Sequence, residues 1–67
     1  MIIGFEKIVE RFISSYGIRP VVLNTEHVEE NMCRINLRGG YTIYLGLFED
    51  ILYKDAKYYC KVEELFS

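Results

Sequence analysis

The sequence predicts an α+β two-layer sandwich, ordered helix, strand, strand, strand, helix, with a three-stranded antiparallel sheet and both helices on one face. Three observations lead to it. Phe5, Ile8, Val9, Phe12 and Ile13 recur at the three-four spacing of an amphipathic helix. On either side of Gly39-Gly40, Cys33, Ile35 and Leu37, then Tyr41, Ile43, Leu45 and Leu47, alternate as in strands buried on one face. In the last third, Ile51, Leu52, Tyr58, Tyr59, Val62, Leu65 and Phe66 gather on one side of a helical wheel.

With 67 residues, 1–67 is read as a single small domain, and folding should bury only about 60% of the unfolded chain's surface. Hydrophobic residues make up 51% and charged residues 27%, a balance that points to a globular chain rather than a disordered one. Apolar runs stay well short of the ~20 residues of a membrane span. Charges at Glu6, Lys7, Glu10 and Arg11 argue against a signal peptide, so the cytoplasm is the expected compartment.

The first helix is expected from Ile3 to Tyr16, with Gly17 as its stop and Pro20 preventing continuation. Val21 to Thr25, β-branched and following a proline, suits an edge or first strand. Glu26 to Asn31 then reads as an acidic loop holding His27, the single histidine, as a solvated side chain.

The central hairpin can be assigned a register, because cross-strand partners share a face and a one-residue slip exchanges the faces. A two-residue loop would set Arg34 against Leu45. A three-residue loop, Arg38-Gly39-Gly40, pairs Leu37 with Tyr41, Ile35 with Ile43 and Cys33 with Leu45, and puts Arg34 beside Tyr44 and Asn36 beside Thr42. Gly40 is expected to supply a positive φ there. A loop over 39–41 would also keep the faces sorted.

From Asp50 to Phe66 two readings compete. Alternation of Tyr58, Cys60 and Val62 with Tyr59, Lys61 and Glu63 allows a strand hairpin turning at Asp55-Ala56. The wheel favours a helix, with Asp50, Lys54, Lys57, Lys61 and Glu64 on its polar stripe and an aspartate near its start. Cys33 and Cys60 lie among apolar neighbours, without disulfide-framework or metal-site spacing, and are read as reduced core thiols.

These residues, in this order, resemble the double-stranded RNA-binding domain. Phe12 to Pro20, ending Tyr16-Gly17-Ile18-Arg19-Pro20, is similar to that family's first helix and its exit. Gly39-Gly40 matches its second hairpin. Lys54-Asp55-Ala56-Lys57, followed by Cys60 and Leu65, is similar to the start of its second helix, with Tyr53 where the first lysine stands, and His27 falls in the loop where the family often carries a histidine. The resemblance implies contact with A-form RNA through the first helix, at Arg11 and Ser14, through the loop with His27, and through Lys54, Lys57 and Lys61 on phosphates. Departures are specific. The loop lacks the family's Gly-Pro and carries Glu26, Glu29 and Glu30, which repel phosphate, and the net charge is −2.

Two functions are therefore expected, in order. The first is a non-catalytic protein-interaction module, either a homodimer or an antagonist of a larger, possibly nucleic-acid-handling protein. Its interface would use Tyr44, Tyr53, Tyr58 and Tyr59 with Arg34, Glu29 and Glu30, because six tyrosines and four phenylalanines exceed what a small core hides. The second is weak, shape-specific binding of double-stranded RNA. Catalysis is not expected, since no paired acid and base, phosphate loop, metal cluster or nucleophile with a histidine partner is recognisable. Neither cofactor, metal, membrane nor small-molecule substrate is implied.

Overall fold

The computed structural model describes residues 4–67. Helix α1 (Phe5–Tyr16) is followed by a 3-10 turn (Arg19–Val21) and five strands, β1 (Val22–Glu29), β2 (Met32–Leu37), β3 (Thr42–Phe48), β4 (Ile51–Lys54) and β5 (Lys57–Lys61). A single helical turn, α2 (Val62–Leu65), closes the chain. The strands form one antiparallel meander in sequence order.

The helical stripe does what its spacing demands. Ile8, Val9, Phe12 and Ile13 are buried against Cys33, Ile35, Ile43, Leu45 and Leu52 on one sheet face, with Leu65 of α2 completing the core. Phe12, with no exposed surface, stacks on Tyr16 at 4.9 Å and meets the edge of Tyr59 at 5.3 Å. Gly17 ends the helix in the left-handed region at φ 78°, which costs glycine nothing. The expected start at Ile3 lies outside the described residues.

The central hairpin has the expected register. Cys33 pairs with Leu45, Arg34 with Tyr44, Ile35 with Ile43 and Asn36 with Thr42. The Leu37 N–H donates to the Tyr41 carbonyl at 2.8 Å, which leaves 38–40 as the loop. Gly39 and Gly40 both have positive φ, at 89° and 84°.

Two expectations are overturned. The sheet has five strands, so the three-stranded sandwich with two helices on one face, and with it the likeness in architecture to the double-stranded RNA-binding domain, does not hold. Residues 51–61 form a hairpin instead of a helix, turning at Asp55-Ala56. Its two-residue turn, like Glu49-Asp50 before it, holds both residues at positive φ (51° and 67°; 49° and 62°), the geometry that matches strand twist. The helical wheel misleads for a local reason. Tyr53 pairs with Tyr58 but Leu52 pairs with Cys60, so Tyr59 is an extra residue in a bulge. Tyr59 and Cys60 both pack toward the core, and two adjacent inward residues imitate a helical face. Only one helical turn survives, started where the Lys61 N–H donates to the Glu64 carboxylate at 2.8 Å.

The acidic loop is also corrected. Glu26 to Glu29 continue β1, and only Glu30 and Asn31 turn. Beyond Val22 the strand is exposed throughout, so no apolar alternation marks it, and pairing with β2 alone extends it.

Candidate functional site

The residues assigned to RNA do not assemble. Lys54 closes β4 opposite Leu45 and points to the helix side, its Nζ 5.6 Å from the centre of the Tyr16 ring and 3.4 Å from Asp55. Lys57 pairs with Lys54 across the turn. No helix begins there, so the partial positive charge expected beside these lysines is absent. Lys61 pairs with Ile51 at the far end of β5. Arg11 is engaged within the fold, its Nε donating to the Leu65 carbonyl at 2.9 Å and its guanidinium 5.9 Å from the Phe66 ring centre. The Ser14 hydroxyl accepts from Arg19 at 2.9 Å, beside the Arg19–Glu10 ion pair. His27 lies in β1 opposite Cys33, with its ring 5.7 Å from Phe5.

The residues assigned to a protein interface fare differently. Cys33, Ile35, Ile43, Leu45 and Leu52 face α1, so their neighbours face away from it. Cross-strand pairing then lays out the helix-free face in rows. Glu26, Arg34 and Tyr44 form one row; Met32, Gly46, Tyr53 and Tyr58 form the next; Phe48, Ile51 and Lys61 form the last. Tyr44, Tyr53, Tyr58 and Arg34 therefore share this open face. Tyr59 does not, because the bulge turns it onto Phe12 and Tyr16. Glu29 ends β1 and Glu30 occupies the following turn.

The face is divided by chemistry. Toward β1 it is polar and internally satisfied. Glu26 accepts from Arg34 Nε and Nη2 at 3.1 and 2.9 Å and from the Asn36 amide at 2.6 Å, and Asn36 also donates to Asn24 at 2.7 Å. The Asn36 hydrogen bond first, then the Arg34 hydrogen bond and charge, hold the Glu26 carboxyl below its ordinary range. Toward β5 it is aromatic. Met32, Tyr44, Phe48 and Tyr58 are exposed there; Met32 and Tyr53 flank Gly46 across the strands, Tyr44 and Phe48 flank it along β3, and Gly46 has no side chain to fill the space between them. A concavity of about 460 Å³ results, with an apolar lining from Met32, Tyr44, Gly46 and Tyr53 and with Asp55 and Ala56 on its rim. Asp55 is fixed there, accepting from the Tyr44 N–H at 3.0 Å.

Met32, Gly46, Phe48 and Ile51 were not among the sequence-predicted site residues. All four occupy positions that alternate with the buried set, and Met32, Phe48 and Ile51 carry the apolar side chains that signal it. Tyr44 drew notice as an aromatic, whereas Gly46 contributes by what it lacks.

Among the described residues no group of three or more His, Cys, Asp or Glu side chains is placed to hold a metal ion. Nor is any described helix long and apolar enough to cross a membrane. The chain matches no protein-family model, no curated protein and no solved structure.

Proposed function

We propose that this chain is a non-catalytic binding module that engages a protein partner through the open face of its sheet. The observation that carries the reading is the apolar concavity over Gly46, lined by Met32, Tyr44 and Tyr53, with Phe48 and Tyr58 exposed on the same sheet face. Exposed aromatic clusters of this kind cost solubility unless used, and tyrosine and methionine are the side chains that interface centres favour. Double-stranded RNA is the weaker reading. Lys54 and Lys57 stand on the helix side at one end of the β4–β5 hairpin and Lys61 at the other, while Arg11 is engaged with α2, so among the described residues these cations do not form a continuous track for a phosphate backbone.

The test is site-directed photo-crosslinking in cells. A benzophenone side chain at Tyr53 or Tyr58 should give discrete protein adducts, whereas one at Lys7, on the solvent side of α1, should not. Equal adducts from all three positions would sink the reading. So would a mobility shift of a duplex of about 16 base pairs, the span of a double-stranded RNA-binding domain, in low salt.

A further inference from the structure

The partner's chemistry can be read from the charges that border the open face, an inference that rests on the protein-binding reading above. In the meander, the β1–β2 and β3–β4 turns lie at the same end of the sheet, tied by the Leu47 N–H donating to the Asn31 carbonyl at 2.9 Å. Glu29 and Glu30 sit at the first turn, Glu49 and Asp50 at the second. None of these four forms an ion pair among the described residues, whose pairs are Arg19–Glu10, Arg34–Glu26 and Lys54–Asp55. On the opposite rim of the concavity stands the Asp55 carboxylate. Arg34 is neutralised by Glu26, which leaves Lys61 as the counterweight on this face.

We infer that the open face docks a basic, arginine-presenting segment of another protein, seated with a guanidinium over Gly46 between Tyr44 and Tyr53 and with its flanking cations toward Glu29, Glu30, Glu49 and Asp50. Four considerations favour this occupant. A guanidinium is planar, stacks on tyrosine and forms ion pairs with carboxylates at the same time, so it uses both the lining and the rim. A second copy of this chain would set the same carboxylates, none of them in an ion pair among the described residues, against their equivalents. Nucleic acid would bring phosphates to them. Long-range attraction of a basic partner to an acidic rim also speeds encounter, which like-charged partners lose.

Gly46 makes the inference testable without disturbing the fold. Outside Gly46 and its two chain neighbours, a Cβ added there would come no closer than 4.0 Å to a heavy atom, the Asn31 carbonyl oxygen. Gly46→Val therefore fills the concavity from below while suiting a strand. Deca-arginine, deca-lysine and deca-glutamate peptides are titrated into the intact protein and followed by fluorescence anisotropy and amide chemical shifts. Deca-arginine should bind tightest, shift the amides of Met32, Gly46 and Tyr53, and weaken steeply between about 50 and 200 mM salt. Gly46→Val should reduce its affinity at least about tenfold, the size of a lost stacking contact with its ion pair, with the melting temperature held or raised. Deca-arginine binding that survives Gly46→Val unchanged, or equal binding of deca-lysine, would overturn the seating. Preference for deca-glutamate, or a dimer in sedimentation that Gly46→Val dissolves, would overturn the choice of partner. The crosslinking above separates this from the broader reading: adducts at Tyr53 to an acidic or apolar partner segment would leave the protein-binding face standing and remove the basic occupant.

Discussion

Gly46→Val should make the protein more stable while impairing what the open face does. The residue lies within β3, flanked by Met32 on one side and Tyr53 on the other, and its φ is not positive. A side chain there meets no conformational barrier, and the 4.0 Å clearance is ordinary van der Waals contact. Glycine inside a strand costs about 0.5–1 kcal/mol relative to alanine, because the unfolded chain loses more freedom on folding. Valine adds a β preference on a scale spanning about 1 kcal/mol. Its methyl groups would also cover part of Met32 and Tyr53, worth less than the ~0.8 kcal/mol per fully buried methylene since the site stays open on one side. A net gain of about 1–2 kcal/mol follows, and in a domain this size each kcal/mol raises Tm by about 4–8 °C. Thermal and urea melts followed by circular dichroism measure it. A fall in Tm of comparable size would refute the reasoning, since it would mean that the strand needs glycine for its own geometry. A rise accompanied by lost binding would identify Gly46 as a residue whose absence of side chain serves function at a cost in stability.

Other expectations concern the turns, the polar row and the thiols. Ala56 holds a φ of 67°, a conformation that costs L-residues other than Asn, Asp and Gly about 1–2 kcal/mol, so Asp55-Ala56→Asn-Gly should raise the unfolding free energy by about 0.5–1 kcal/mol once glycine's own entropy is subtracted, read as a higher urea midpoint; an unchanged or lower midpoint would show that Asp55's bond to the Tyr44 N–H outweighs the strain. Glu26 has a carboxyl held low in the fold by Asn36 and Arg34, so its contribution is complete above the unfolded value of about 4.3 and is lost as pH falls through the lower folded value. Melting temperatures of wild type and Glu26→Gln should accordingly differ near neutrality and converge in acid, and parallel curves would contradict the assignment. Burial pushes both thiols up, with the Glu64 carboxylate adding to the effect at Cys60, and Cys33 has no exposed surface. Ellman's reagent should therefore label Cys60 slowly and Cys33 only on unfolding, and rapid native labelling of Cys33 would mean that β2 opens locally.

Much of the open face was legible as residues but not as a surface. Tyr44, Tyr53, Tyr58 and Arg34 carry recognisable interface chemistry, and strand alternation assembles them once β4 is paired to β3. Tyr59 was grouped with them because nothing in Lys57-Tyr58-Tyr59-Cys60 announces a bulge, and the bulge alone reverses its side. The three lysines looked like one stripe under a helical period, whereas in the hairpin Lys61 lies at the far end from Lys54 and Lys57.

The sequence by itself determined the segments whose order comes from nearby residues. α1 follows from its apolar stripe and Gly17, and alternation on both sides of Gly39-Gly40 narrows the β2–β3 register to loops over 38–40 or 39–41, since a one-residue slip would expose Ile35 and Ile43; the pairing itself selects 38–40. Tertiary structure decided the rest. β1 runs to Glu29 because β2 offers it hydrogen-bonding partners, although its own side chains face water. Residues 51–61 had an apolar set compatible with either period, and local preference did not separate them. A hairpin pairs the outer edge of β3, moves the open edge out to the shorter β5, and still delivers Leu52, Tyr59 and Cys60 to the core. The backbone hydrogen bonds of β3 thus chose between two readings that the side chains alone allowed, and the same choice created the open aromatic face.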